Sequence, residues 1–190
     1  MIFLISGPSG IGKNSVIKEL QKDKKLNISL SVSYTTRDKR FNEINGKDYY
    51  FVNKNEFLEK IKKNEFLEYA QFVDNYYGTC KKEIERIINL NKNVLLEIET
   101  VGANNIFKQF LNNKQKIVSI FIVPIKIEDL KKRLENRNTN SKEDIKKRFD
   151  LSLKEIEERK KFDYIVCNDK LENAIFLIKK ILNYEISLKN

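Results

Sequence analysis

Ile2-Phe-Leu-Ile-Ser-Gly-Pro-Ser-Gly-Ile-Gly-Lys-Asn-Ser15 is the stretch that decides the fold. A short apolar run passes into a glycine-rich turn and then into an amphipathic segment, which reads as strand, loop and helix. Gly7, Gly10 and Gly12 permit backbone angles that a Cβ forbids, so successive N–H groups can turn inward on an anion. The helix beginning near Lys13 adds its positive N-terminal end. Lys13 can then reach the outer phosphates of a nucleoside triphosphate. Gly7, Pro8, Ser9, Gly10, Ile11, Gly12, Lys13, Asn14 and Ser15 are therefore the candidate triphosphate-binding segment. The pattern G-x-x-x-x-G-K fits from Gly7 to Lys13, but Asn14 follows, and the hydroxyl expected there comes one place later, at Ser15. A glycine-rich turn capping an ordinary helix would share some of these residues. The order strand, loop, lysine, helix favours the phosphate reading.

The chain has 190 residues, 41% of them hydrophobic, with 12 Phe. That is enough for one domain with a proper core. No segment approaches the apolar length of a membrane span, and Ile2–Ser6 is too short for a signal-peptide core. Cys80 and Cys167 stand apart, with neither metal spacing nor a disulfide framework, so a reducing cytoplasm is the expected location. The formal net charge is +10. It comes from scattered Lys with no basic patch interleaved with aromatics, so neither nucleic acid nor a membrane is an expected partner. The excess still attracts anionic substrates in general.

The arginines are more telling. There are 7 of them against 30 Lys, and most fall in two clusters, Arg37/Arg40 and Arg133/Arg137/Arg148. A guanidinium grips phosphate oxygens through a planar fork, whereas an ammonium is a point charge. Clustered Arg in a Lys-rich chain marks places where geometry matters.

Periodicity gives the rest of the layout. Strands are expected at Ile2–Ser6, Ile28–Ser33, Tyr49–Val52, Val94–Ile98, Val118–Val123 and Tyr164–Cys167, with a ribbon at Phe66–Phe72 and a turn at Asn75–Gly78. Helices are expected at Asn14–Lys24, at Glu56–Lys63 after Asn53 or Asn55, from a Thr79 cap to Leu90, at Ile127–Asn136, Lys142–Lys161 and Leu171–Tyr184. Alternating strands and helices after a phosphate loop imply an α/β fold with a parallel sheet flanked by helices. Residues 33–79 break the alternation and read as an inserted substrate lobe. The charged helical hairpin at 126–155 reads as a movable flap, leaving a core of about 1–32, 80–125 and 156–190.

Several further segments carry a resemblance. They are Ser31-Val-Ser-Tyr-Thr-Thr-Arg-Asp-Lys-Arg40, Glu43-Ile-Asn-Gly-Lys-Asp-Tyr49, Asn64-Glu-Phe-Leu-Glu-Tyr-Ala-Gln-Phe72 and Asn75-Tyr-Tyr-Gly-Thr79. With them go Leu96-Glu-Ile-Glu-Thr-Val-Gly102, Asp129-Leu-Lys-Lys-Arg-Leu-Glu-Asn-Arg137 and Val166-Cys-Asn-Asp169. In this colinear order, over nearly the whole chain, they closely resemble guanylate kinases. The resemblance implies a P-loop core, a GMP-binding lobe and a lid, and ATP-dependent phosphorylation of GMP, with dGMP as a second acceptor. It implies that Ser33, Arg37, Arg40, Tyr49 and Tyr77 bind the GMP phosphate and its surroundings, and that Glu68, Thr79 and Glu99 read guanine. Lys13, Arg133, Arg137 and Arg148 would hold the transferring phosphoryl group, and Asn168 would lie on the adenine side. The implied cofactor is Mg²⁺, with Ser15 or Asn14 as candidate direct contacts and Glu97 acting through water. A homo-oligomer is compatible with the resemblance.

The chemistry suits those assignments. Phosphoryl transfer is mostly positioning and charge stabilisation, which a chain without His can perform. Guanine N1–H and the 2-amino group are donors that carboxylates accept, and adenine lacks both. The sequence departs from the family's pattern at Asn14, where many members carry Ser, and at Glu99, which replaces the usual Asp. Val101 replaces the usual Gln, and Phe41-Asn42 follow Arg40 where a small residue and Gly are common. Three other readings compete. One is a kinase of another small phosphate. Another is a non-catalytic module binding a phosphorylated peptide, although Lys13 and all three lid arginines are kept. The last is RNA binding, suggested by charge alone.

Overall fold

The computed structural model describes residues 1–72, 74–110, 117–135 and 142–188, with no side-chain description for Phe72, Phe110, Arg133, Leu134 and residues 142–144. Five parallel strands form one sheet: β1 (Ile2–Ser6), β2 (Ile28–Leu30), β7 (Asn93–Glu97), β8 (Ile117–Val123) and β9 (Tyr164–Cys167). Their order is β2-β7-β1-β8-β9, and every neighbouring pair is parallel. In β1, Phe3 and Ile5 face one hydrophobic cluster while Ile2 and Leu4 face another. That is the alternation of a strand covered on both sides. Helices α1 (Lys13–Gln21) and α7 (Leu171–Ser187) cover the first face through Val16, Ile17, Leu20, Ala174, Ile178 and Leu182. Helices α3 (Lys81–Asn89) and α4 (Thr100–Phe110) cover the second through Ile84, Ile87, Ala103 and Ile106.

A second, mixed sheet has the order β4-β3-β6-β5, from β3 (Tyr34–Thr35), β4 (Tyr50–Phe51), β5 (Phe66–Phe72) and β6 (Asn75–Cys80). Helix α2 (Lys54–Lys62) packs on it through the buried Phe57, which stacks on Phe66 at 4.5 Å between ring centroids. Helices α5 (Ile127–Glu135) and α6 (Lys142–Glu157) follow β8, and a short 3₁₀ segment, Glu158–Lys161, leads on to β9.

The structure corrects four expectations. Helix α4 was not foreseen at all. Asn75–Gly78 is not a turn but the start of β6, paired with β5 from Phe72↔Asn75 onward. The α3 N-cap is Cys80, not Thr79, because the Thr79 hydroxyl is engaged across the ribbon. Finally, β7 runs from Asn93 to Glu97, not from Val94 to Ile98, and Glu99 lies beyond its end. Glu99 instead precedes α4, where its carbonyl accepts from Ala103 N at 3.0 Å.

Candidate functional site

The phosphate loop joins β1 to α1 at the carboxyl end of the parallel sheet, where open α/β sheets place their ligands. Gly7 has φ of 152°, and a Cβ there would stand 2.6 Å from the carbonyl oxygen of Ile122. Gly12 caps α1 in the left-handed region at φ of 102°. Ile11 N donates to Pro8 O at 3.2 Å, closing the turn across Ser9 and Gly10. The buried Asn168 underpins the loop: its side-chain amide donates to Ile11 O at 2.7 Å, and its backbone N–H donates to Val123 O at 2.8 Å. The residue assigned to the adenine side thus spends its amide on the loop. Lys13 is 7% exposed. Its Nζ donates to Gly7 O at 2.6 Å and lies 3.7 Å from Glu99 Oε2.

The donors beside Lys13 are oxygen-rich. Asn14 and Ser15 are exposed in the first turn of α1. With its amide oriented to donate, Asn14 lies 2.5 Å from Glu97 Oε1 and 3.2 Å from Oε2. Burial pushes the Glu97 carboxyl up to about 7, against the pull of Lys13 and with a further push from Glu99. Hydroxyl, amide and carboxylate oxygens are the hard ligands that suit Mg²⁺. Among the described residues, no group of three or more His, Cys, Asp or Glu side chains is arranged to hold a metal. The set therefore fits a cation bound chiefly through a nucleotide's phosphates.

Glu68 is the least expected group in a strand. It lies opposite Thr79 in the β5/β6 register, is 6% exposed, and accepts the Thr79 hydroxyl at 2.7 Å. Burial pushes its carboxyl up to about 7, and the Thr79 bonds only partly offset it. Its other oxygen faces Gly102 in the first turn of α4: a Cβ on Gly102 would stand 2.5 Å from Glu68 Oε2 and 2.6 Å from Ile98 Cγ2. The start of α4 thus lies between Glu68 and Glu99. Glu99 Oε2 is itself buried and accepts no hydrogen bond, though Lys13 lies near it.

Arg37 is held by an acidic partner to which the sequence reading gave no role. Glu43 takes the guanidinium bidentately, at 2.8 Å and 3.0 Å, and also accepts from Arg40 N at 2.9 Å. Burial raises the Glu43 carboxyl, but Arg37 and Arg40 outweigh it and hold it below its usual range. The guanidinium lies 5.5 Å from the Tyr49 ring centroid and 5.6 Å from that of Phe51. Tyr49 meets Tyr77 edge-on at 6.1 Å. Burial, reinforced by Glu97 and Glu99, pushes the Tyr49 phenol far above its ordinary value, so Tyr49 lies in the field of the carboxylates around the end of β7. Ser33 is half-buried and its carbonyl accepts from Tyr50 N at 2.9 Å. The Arg40 side chain is exposed.

Of the three flap arginines, Arg137 and the Arg133 side chain lie outside the described residues. Arg148 is half-buried on α6, and its carbonyl accepts the Ser152 hydroxyl at 2.8 Å. Besides Glu43, the reading missed Gly102 and Glu155. A glycine inside a helix was the available signal for the first. Nothing in the charged stretch Lys154–Lys161 distinguishes Glu155 from its neighbours.

Known proteins are similar to this chain over nearly its whole length. A family model for guanylate kinase matches residues 1–185. The guanylate kinase of Mycoplasma mobile is 44% identical over 187 residues, covering 97% of this chain and 93% of its own length. That of Mesoplasma florum is 46% identical over 95% of this chain, which spans 60% of that longer relative. The crystal structure of guanylate kinase from Anaplasma phagocytophilum matches with a TM-score of 0.76 at 33% identity, covering 97% of this chain and 85% of that one. The span matched by the family model includes both the loop after β1 and the second sheet, and the chain belongs to the guanylate kinase family.

Proposed function

We propose that the protein transfers the γ-phosphoryl group of ATP to GMP, giving ADP and GDP, and accepts dGMP as well. The observation that carries this is the buried Glu68, oriented by Thr79 beside the helix start that follows Glu99. Holding a carboxylate at about 7 rather than 4.5 costs about 3 kcal/mol for the charged form. Such a cost is offset when guanine N1–H and the 2-amino group donate to it. AMP offers neither, and leaves the carboxylate with only its Thr79 bond, a loss of about 1–3 kcal/mol.

On this reading residues 33–79 form the GMP lobe, 126–155 the lid, and the remainder the core. Arg37, already fixed in its fork by Glu43, binds the GMP phosphate together with Arg40, Ser33, Tyr49 and Tyr77. The loop amides and Lys13 hold the β- and γ-phosphates of ATP. A GMP phosphate oxygen attacks Pγ; the new P–O bond forms as the bond from Pγ to the β,γ-bridging oxygen breaks, and its electron pair leaves on ADP. GMP's phosphate is already ionised, so no strong base is needed. Lys13, Arg133, Arg137 and Arg148 stabilise the charge on the transferring group, and lid closure excludes water. Ser15 or Asn14, with Glu97 acting through water, would hold Mg²⁺, which would supply charge neutralisation at the phosphates. No described helix is long and apolar enough to cross a membrane, and a cytoplasmic location fits the substrates.

The test is ADP release with MgATP and each of GMP, dGMP, AMP, CMP and UMP. The expected result is strong turnover with GMP, weaker turnover with dGMP, and none for Lys13→Ala. GMP binding without turnover would favour the non-catalytic module instead.

A further inference from the structure

One buried acid has no part in the chemistry above. Glu155 is 6% exposed and sits near the end of α6. One of its oxygens accepts from Ser9 N in the phosphate loop at 3.2 Å, and the other accepts the Thr100 hydroxyl at 3.0 Å, in the first turn of α4. A single side chain on the lid's long helix therefore grips both the loop and the helix beside Glu99. Simple packing does not account for it. Phe149 and Ile156 already seat this part of α6 on the core, and an apolar residue would avoid the cost of burying a charge. Burial does push the Glu155 carboxyl above its usual range, with Glu99 adding to the shift and Lys13 opposing it.

The spacing along α6 gives the group a purpose. Arg148 and Glu155 are seven residues apart, two helical turns, so they lie on one side of the helix about 10 Å from each other. With Glu155 fixed to the loop that carries Lys13, the reach of Arg148 is set by a rigid rod.

Resting on the reading of this site as a GMP kinase, we infer that Glu155 is a positioning residue. It pins α6 to the phosphate loop and α4, so that Arg148 meets the transferring phosphoryl group at a set distance from Lys13. Glu155 itself does not touch the substrates. Its loss should be felt in the chemical step and much less in GMP binding, whose residues lie chiefly on the other sheet. Gln can reproduce both contacts: its oxygen accepts from Ser9 N, and its amide donates to a Thr100 hydroxyl turned to accept.

The experiment measures kcat and KM for GMP in the wild type, Glu155→Ala, Glu155→Gln and Thr100→Val. Glu155→Ala should lose about 10- to 100-fold in kcat, the scale of a misplaced catalytic group, with the GMP KM within about three-fold. Glu155→Gln should recover most of that loss and Thr100→Val should fall between. A wild-type kcat in Glu155→Ala, whatever its melting temperature, would overturn the inference, as would kcat and GMP affinity falling together. If Glu155→Ala does not fold, Thr100→Val decides: a lower kcat at unchanged GMP KM supports the inference, and a wild-type kcat overturns it. Failure of the kinase reading itself shows elsewhere, in a wild type that does not turn over GMP or a Lys13→Ala variant that does.

Discussion

Glu68 is where a single residue does most to set the behaviour of the site. Burial pushes its carboxyl up to about 7, and on the proposed reading guanine's two donors need it ionised. GMP binding should therefore weaken by about ten-fold per pH unit below 7, as protons compete for the carboxylate. GMP's own phosphate also titrates, near pH 6, so the quantity to read is the difference in GMP affinity profiles between wild type and Glu68→Gln. Without ligand the sign is opposite. The group's folded value lies above its ordinary 4.5, so its contribution to stability is full below about 4.5 and is lost as pH rises through about 7. Gly102 makes the companion case. On helix propensity alone, Gly102→Ala gains about 1 kcal/mol. Here the new methyl would meet Glu68 Oε2 at 2.5 Å, so the carboxylate must move. The expected outcome is a GMP KM raised about ten-fold with the ATP KM unchanged, measured by steady-state kinetics.

At the scale of elements, much was legible because burial on both faces makes parallel strands read as continuous apolar runs. Ile2–Ser6 and Tyr164–Cys167 came out with the bounds observed, and Asn53 was one of the two caps foreseen for α2. Its side chain accepts from Glu56 N at 2.9 Å. Asn53→Ala should cost about 1 kcal/mol, read as a melting temperature lower by about 2–4 °C, with kcat and both KM values unmoved. Helix α4 was illegible for a physical reason. Thr100-Val-Gly-Ala-Asn-Asn105 carries a glycine and two asparagines, and its helical state rests on the burial of Ala103 and Ile106 rather than on propensity. The glycine that hides the helix is the one that leaves room for Glu68. Local preference yields to the site there. Thr79 misled similarly: a hydroxyl before a helix reads as a cap, and only the β5/β6 register reveals that it faces Glu68.

Across the whole molecule, two layers divide the work. The parallel sheet holds the phosphate loop, buttressed by Asn168 from the far end of the chain, while the second sheet holds Arg37 and Glu68. They meet around the start of α4, where Gly102 faces Glu68 and Glu99 faces Lys13. The sequence named nearly all these residues through its resemblance to a family. It could not name Glu43, which fixes Arg37, or Gly102, which leaves room for Glu68, because those depend on distances rather than order. The most direct test of the account is the ratio of kcat/KM for GMP to that for AMP, in the wild type, Glu68→Gln and Glu99→Ala. GMP should be preferred by about 10³-fold or more in the wild type, and that preference should fall by about 100-fold in Glu68→Gln and shrink in Glu99→Ala. A ratio that stays at the wild-type value in both variants would contradict it.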